Sequence, residues 1–589
     1  MSHLEQNLDR LVCDARLREA LLCCRPVCAR IEDEGGRSVL RASGVAMHAA
    51  RDPVAEADAF AAQAQLHEAH YVLLFGIGMG HALEALRHRT DAELLVHEPD
   101  LEVLRLCLEA RPLAVQGAQL LRDAVAVRAR LRDATRRRGK VLLLGWPPAV
   151  RRHREAFAEI ALHVREAMTA ATVGENTWDT RMSGWIENVL INLPVALAHP
   201  LLETMEGALR GAPAFLLAAG PSLERNIAQL KHLDGRGVIL TVNTAVPALD
   251  HHGVRPDLVA CLESIDMSSH LRDSPGFRGA HFVVDLPSNP AHFALAPRAM
   301  LPFSDLVAYY ALWLRDIGAA TPLNSGCCAA HAAFSAAHLV GCDPIVLVGQ
   351  DAALTGGSFY SPSTPFGAMR LAGQDGDEGK VMGDDAKVRL HRGGQVSYQA
   401  GQSVVVHPVP AWGGVGTVLS TPQLDYVRIW YQENVPKLAA TRVINATEGG
   451  ARIPGVAEAR LREVIAGLGS ARVDFRDAAR VAAPPSPERL ASVRAGLSAA
   501  REQALVVERE ARRAMVAGPG QRDDAAARLK EVSRDLLLQG YARRDVLGVV
   551  ARGGDLRDLC AVLVKRAVEL AGRLAACEAA LESLQRRAA

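Results

Sequence analysis

Short apolar runs, each ended by a glycine-bearing or polar turn, recur along the chain and predict buried parallel strands. The run Val72-Leu73-Leu74-Phe75 meets Gly76-Ile77-Gly78-Met79-Gly80, passes into a helical stretch to Leu86, and is followed by Leu94-Leu95-Val96 and Glu98. The same wiring returns at Phe215-Leu216-Leu217, which stops at Gly220-Pro221-Ser222-Leu223, after which Leu223, Ile227 and Leu230 share one helix face. Val238-Ile239-Leu240 then ends at Asn243-Thr244, Leu258-Val259-Ala260 approaches Glu263 and Asp266, and Val346-Leu347-Val348 ends in Gly349-Gln350-Asp351. Strand, turn, helix, strand is the wiring of a parallel α/β sheet, whose ligands sit beyond the carboxyl ends of the strands. From 151 to 209 the pattern is helical, with Trp178 and Trp185 as aromatic anchors. The stretch from Ser361 to Gln402 lacks apolar periodicity and is rich in Gly, Asp and Ser, as a lid, a binding loop or bare surface would be. Beyond Pro484-Pro485-Ser486-Pro487 the chain is mostly Ala, Leu, Arg and Glu at helical spacing, broken at Gly518-Pro519-Gly520 and Gly553-Gly554. That predicts a bundle of roughly three or four helices. The expected organisation is a multidomain α/β protein. An N-terminal Rossmann-like accessory domain covers 1–150, a helical connector 151–209, a central Rossmann-like parallel-sheet domain 210–455 and a C-terminal helical domain 456–589.

A length of 589 residues exceeds what one core holds. Lys and Arg number 67 against 66 Asp and Glu, a net charge of +1, so no electrostatic case for nucleic acid arises. No run approaches the ~20 apolar residues of a membrane span. The opening MSHLEQNLDR is acidic and has no apolar segment, which argues against a secretory signal and for a cytoplasmic protein with reduced thiols. Cys23, Cys24 and Cys28 cluster without a neighbouring histidine, so they read as small buried thiols rather than a zinc set.

Two turns carry candidate chemistry. Gly76-x-Gly78-x-Gly80 with Glu98 is close to the fingerprint of a dinucleotide- or S-adenosylmethionine-binding fold, in which the acid holds a ribose hydroxyl. His81 stands where the dinucleotide pattern wants glycine or alanine, which points to an accessory unit with a vestigial pocket. At the second turn Gly220 removes a Cβ where a ligand must approach the backbone, and Pro221 suits a first helical position. Ser222 and the nearby free amides would meet an anion at the positive end of the helix.

The order of motifs around this second turn resembles a known family. Gly220-Pro221-Ser222-Leu223, Asn243-Thr244, Arg255-Pro256-Asp257 and Asn324-Ser325-Gly326 resemble the central domain of the motility-associated factor (Maf) flagellin glycosyltransferases. GCDPIVLVGQDAALTGGSFY from Gly341, GGVGTVLSTPQLDYVRIW from Gly413 and VINATEGGARIPG from Val443 continue the likeness, and NTWDTRMSGWIENVLINLP from Asn176 resembles the segment that precedes it. The resemblance implies transfer of a nonulosonic acid, pseudaminic or legionaminic acid, from its CMP-activated form to Ser or Thr of flagellin. It also implies a central domain similar to that of bacterial sialyltransferases.

Such a transfer needs a grip on the nucleotide, stabilisation of the leaving phosphate and a base for the acceptor hydroxyl. Gly220, Ser222, Asn243, Thr244, Ser325 and Gly326 are the expected grip, and the Ser-Gly turn holds cytidine or ribose by similarity to the sialyltransferases. Asn324 is assigned to the base or to the sugar carboxylate. Asp351 is a candidate general base or an orderer of sugar hydroxyls, and Tyr360 a donor to the leaving phosphate by the same similarity. Glu448 either binds the sugar or caps a helix, and His407 is either the base that similar enzymes use or a core histidine. No metal or cofactor is expected: Glu263 and Asp266 form Glu-x-x-Asp rather than Asp-x-Asp, and CMP carries a single phosphate. Two alternatives stand beside the transferase. One is an ATP-dependent enzyme like the archaeal 6-hydroxymethylpterin diphosphokinases, which share the Gly-Pro-Ser-Leu turn. The other is a non-catalytic flagellin-binding factor.

Overall fold

A computed structural model describes every residue except 1, 50, 137–139, 306–308, 327, 376–377, 384–402, 439–440, 519–520, 533–535, 552–554 and 589. The glycine breaks expected at 519–520 and 553–554, and the second half of the irregular 361–402 stretch, lie outside the described residues, as does the Trp178 side chain. The chain forms two compact units, Met1–Glu175 and Asn176–Ala589.

The first unit opens with an antiparallel meander of β1 (Ala29–Asp33), β2 (Ser38–Ala42) and β3 (Val45–Ala46). Its parallel sheet has the order β6-β5-β4-β7, built from β4 (Tyr71–Phe75), β5 (Glu93–His97), β6 (Gln119–Leu120) and β7 (Val141–Gly145). β4 is buried along its whole length, as a strand covered on both faces must be. The helix α1 (His81–Arg87) follows the glycine turn after β4.

The second unit is built on a nine-stranded sheet of order β13-β12-β11-β10-β9-β8-β14-β20-β21. Its strands are β8 (Ala214–Leu217), β9 (Val238–Val242), β10 (Leu258–Cys261), β11 (His281–Asp285), β12 (Ala299–Asp305), β13 (Thr321–Leu323), β14 (Ile345–Val348), β20 (Val443–Asn445) and β21 (Ala457–Glu458). All pairings in it are parallel. The chain starts at β8, runs outward to β13, and returns to place β14 on the other side of β8. The strand order therefore reverses at β8, the position where open α/β sheets keep their ligand crevice. Between β14 and β20 the chain leaves the sheet for β15 (Arg370–Asp375), β16 (Glu378–Met382) and β17 (Ser403–Val405), and for the hairpin β18 (His407–Pro410) and β19 (Thr417–Ser420).

The helix α2 (Arg154–Ala196) contributes its last turns, from residue 176, to the second unit, where Asn188 and Asn192 donate to the carbonyls of Pro287, Leu286 and Ser288 just past β11. A short helix α3 (Leu223–Asn226) follows the Gly-Pro-Ser turn, and α4 (Ala329–Leu339) packs on β8, β9 and β10 with Phe334 in their core. Past Gly455 the chain still belongs to that core, through Leu461 and Ile465 of α6 (Leu461–Ala466) and through Phe475. The C-terminal helices begin at Pro487, capped by Ser486, whose hydroxyl accepts the Arg489 amide. Of these, α7 (Pro487–Val516) and α9 (Leu556–Ala588) lie along each other, with α8 (Leu536–Ala551) beside α9. Val493, Leu497, Tyr541 and Leu574 from these helices share one core with Phe282 and Val284 of β11, so the bundle is the cover of the second sheet face. Among the described residues no helix is long and apolar enough to cross a membrane.

Candidate functional site

Three turns leave neighbouring strands β8, β14 and β20 and lock together. The Gly220 amide donates to the Gly349 carbonyl at 3.0 Å, and the Ala451 amide to the Asp351 carbonyl at 2.7 Å. Asp351 sits in the middle, 2% exposed. Its carboxylate accepts from the Ser222 amide (3.1 Å), the Ser222 hydroxyl (2.6 Å) and the Thr355 hydroxyl (2.5 Å). Burial pushes this carboxyl up, against the pull of those bonds from Ser222 and Thr355. The residue expected as a general base is therefore turned to its own turn and holds it shut. Gly220 is glycine for the same reason: a Cβ there would overlap Asp351 Oδ1 and the Gly349 carbonyl. What comes close at Gly220 is protein, not the ligand the spacing suggested. Gly450, at φ +71, faces the Asp351 backbone just as closely. Glu448 takes the capping alternative, its Oε1 accepting the Leu461 amide at 3.0 Å at the start of α6.

At the carboxyl ends of the strands, buried polar atoms lack hydrogen-bond partners among the described residues: Asn243 Nδ2 after β9, Gln350 Nε2 after β14, Asn445 Nδ2 ending β20 and, from the edge strand, Ser325 Oγ after β13. All four side chains belong to residues no more than 4% exposed. A buried unpaired donor costs about 1–3 kcal/mol, so such atoms mark where a polar ligand belongs. β9, β8, β14 and β20 are consecutive in the sheet, and at about 4.8 Å per strand their tips span on the order of 15 Å, the length of a nucleotide. Thr244 is half-buried beside Asn243. Gln350 and Asn445 were not among the expected site residues; taking the first polar side chain after every buried strand finds both.

The Ser325-Gly326 turn opens α4. Gly326 has φ +57, and a Cβ on it would press on His331 and Trp430, whose rings stack at 4.0 Å. Trp430 belongs to α5 (Pro422–Asn434), and Asn434 at the end of the same helix accepts from Asn324 Nδ2 at 3.2 Å. Asn324 is thus committed to holding the turn against α5.

No curated protein sequence matches the chain. Residues 187–357 match the family model described as 6-hydroxymethylpterin diphosphokinase MptE-like. The solved structure of a Maf glycosyltransferase from Magnetospirillum magneticum AMB-1 superposes over 99% of this chain and 94% of its own, with 14% identity and a TM-score of 0.51. The fold is that of a Maf glycosyltransferase. The resemblance read from the ordered motifs is thus matched by a likeness of shape along nearly the whole chain.

The segment after Asp351 folds back over the turn after β8, where the Ser361 amide donates to the Ala219 carbonyl at 2.8 Å. Leu354, Phe359, Phe366, Met369, Val381, Val404 and Val406 form a small core of their own with Met267 from the loop after β10, so the described residues of the irregular stretch before 384 are built around apolar anchors. Tyr360 lies between this core and the main one. Burial, with the Glu263 carboxylate and Cys328 nearby, pushes its hydroxyl up to about 12, so it keeps its proton in the neutral range. Burial likewise raises Glu263, opposed by the Arg181 guanidinium. His407 Nε2 lies 3.0 Å from Asp425 Oδ2 on α5.

The cover is fastened at Glu224 on α3. Its carboxylate accepts the Ser361 hydroxyl (2.6 Å) and the Ser363 amide (3.2 Å) and meets His252 Nε2 at 2.9 Å. Burial would raise this carboxyl, but the hydrogen bonds from Ser361, Ser363 and His252 win and draw it down to about 2. A carboxyl lower in the folded than in the unfolded chain stabilises fully above its unfolded value, about 4.3, and loses that contribution as pH falls toward 2. Amide exchange in residues 361–367 is therefore expected to quicken between pH 4.5 and 2 beyond its intrinsic pH dependence, and Glu224→Gln to remove that extra step.

The glycine turn of the first unit is a different case. The Ile77 amide donates to Glu98 at 2.9 Å, and Glu98 is 5% exposed, with burial raising it to about 7. Glu98, expected on a ribose hydroxyl, is instead spent on the turn itself. The room left by Gly76, Gly78 and Gly80 is taken by Ala149, Trp146 and Leu113.

Proposed function

We propose that the chain is a protein O-glycosyltransferase of the cytoplasm. It moves a nonulosonic acid, pseudaminic or legionaminic, from CMP to Ser or Thr of flagellin, with inversion and without a metal or other cofactor. The observation that carries this reading is the set of buried, unpartnered donors at the carboxyl ends of the strands: Asn243 Nδ2, Gln350 Nε2 and Asn445 Nδ2 near the reversal of strand order, and Ser325 Oγ after β13. They are neutral amides and a hydroxyl, suited to ribose, pyrimidine and a single phosphate rather than to a densely charged triphosphate. The Maf-like shape and the motif order support the same choice. Within it, Tyr360 donates to the leaving phosphate, and His407 accepts the proton of the attacking hydroxyl. Asp351, Ser222 and Gly220 shape the crevice through their mutual hydrogen bonds and close contacts, and Glu448 through its bond with the Leu461 amide.

A second reading has one specific observation in its favour, the match of residues 187–357 to a pterin diphosphokinase-like family model. Mass spectrometry separates the readings. Purified chain is incubated with flagellin and CMP-pseudaminic or CMP-legionaminic acid, and separately with ATP and 6-hydroxymethylpterin. One added acidic-sugar mass per site on flagellin is the expected result. A diphosphorylated pterin supports the second reading, and flagellin bound but unchanged supports a binding factor.

A further inference from the structure

His407 starts β18 and is paired in register with Ser420 of β19. The hairpin rests on the chain leaving Asp351: the Ser420 hydroxyl donates to the Ala352 carbonyl at 2.9 Å, and the Leu354 amide to the Leu419 carbonyl at 2.8 Å. His407 therefore belongs to a hairpin that rests on the segment leaving the knot of turns. Its Nε2 faces Asp425 Oδ2 at 3.0 Å, while the other carboxylate oxygen accepts Arg428 Nε at 2.6 Å. Asp425 and Arg428 are 4% and 3% exposed, and Arg428 goes on to Gln432 at 2.9 Å. Hydrogen bonds from His407 and Arg428 hold the Asp425 carboxyl low against its burial. An ionised carboxylate only accepts, so Nε2 must carry the ring proton and Nδ1 must be the lone-pair nitrogen. Among the described residues Nδ1 has no hydrogen-bond partner. Among the described residues the charged groups at the ring are Asp425 and, behind it, Arg428, and β19 sets Ser420 opposite. The Asp351 carboxylate, at the start of the segment under the hairpin, is turned to Ser222 and Thr355.

We propose that Asp425, steadied by Arg428, is a positioning residue that fixes His407 as its Nε2–H tautomer and makes Nδ1 the proton-accepting atom. This rests on the transferase reading. As the acceptor oxygen bonds to the anomeric carbon, the bond from that carbon to the CMP phosphate oxygen breaks, the electron pair leaves on the phosphate, and the hydroxyl proton passes to Nδ1. Asp425 then offsets the positive charge of the imidazolium.

Two measurements test it. Nitrogen-15 histidine spectra of the full chain, with His407 assigned by His407→Gln, are expected to show a protonated Nε2 and an unprotonated Nδ1 at pH 8. In transfer kinetics, Asp425→Asn is expected to lower kcat on the order of 100-fold or more with little change in KM for the donor. Asp425→Glu, which keeps the carboxylate, is expected to recover part of the lost kcat. A merely structural role would raise KM together with the fall in kcat and would show no such rescue. The proposal is overturned by a proton on Nδ1 in the wild-type chain, or by an Asp425→Asn enzyme whose kcat is that of wild type. If the wild-type chain transfers no sugar, the transferase reading fails, and with it the base role. The spectra need no turnover, so they report the tautomer whether or not that reading holds.

Discussion

Asp351→Ala should lower the melting temperature of the 176–589 unit by about 5 °C or more, a stability loss on the order of 3 kcal/mol. The wild-type carboxylate accepts from the Ser222 amide, the Ser222 hydroxyl and the Thr355 hydroxyl. Ser222 is fully buried, so its donors find no water when the acceptor is removed, and each unsatisfied buried donor costs about 1–3 kcal/mol. Burial raises the Asp351 carboxyl, so keeping it ionised has a cost of its own, which the variant regains in part. Three lost partners outweigh that gain. Asp351→Asn keeps an acceptor and sheds the charge, so it should show the smaller loss. Differential scanning calorimetry of both variants decides the point. Equal melting temperatures for wild type and Asp351→Ala would show that the knot is not what holds β8, β14 and β20 in place.

Asn243→Ala should do the reverse, weakening CMP binding about 10–100-fold while stability changes by less than about 1 kcal/mol. Its Nδ2 is buried and without a partner among the described residues, so truncation leaves no protein group unpaired. A nucleotide seated there would lose a buried hydrogen bond to a charged or polar oxygen, worth about 1.5–3 kcal/mol. Titration calorimetry with CMP measures the first quantity and thermal unfolding the second. The contrast with Asp351 is the informative part, because both residues lie just past a strand tip of the same sheet. One is predicted to matter for the fold and the other for the ligand.

Strands β8, β9, β10 and β14 and the turn after β8 were legible in the sequence because local rules decide them. Apolar runs ending in polar turns name the strands, and Gly220-Pro221-Ser222 names a strand-to-helix turn whatever lies opposite. What lies opposite was not legible. Ser222 and Asp351 are 129 positions apart, and no periodicity says that one takes the other's hydroxyl rather than a ligand. Glu448 had two open readings for the same reason, since its capping partner Leu461 lies 13 positions on, beyond the reach of a usual capping pattern. His407 and Asp425 are 18 apart, on a hairpin strand and a helix whose contact is tertiary. Helix α5 is the plainest instance. Its residues entered the sequence reading only as part of a family likeness, yet Asp425 near its start holds His407, Trp430 backs Gly326 and Asn434 holds Asn324. The glycine turn of the first unit is legible as a Rossmann turn but not as a filled one, because Trp146 and Leu113 arrive from later in the chain.

A crystal structure of the full chain with CMP tests the central claim most directly. The account predicts the nucleotide at the tips of β9, β14 and β20, with Asn243 Nδ2, Gln350 Nε2 and Asn445 Nδ2 engaged by its phosphate, ribose or base. CMP lodged instead at the glycine turn of the first unit, or bound with those three side chains still unpartnered, would contradict it.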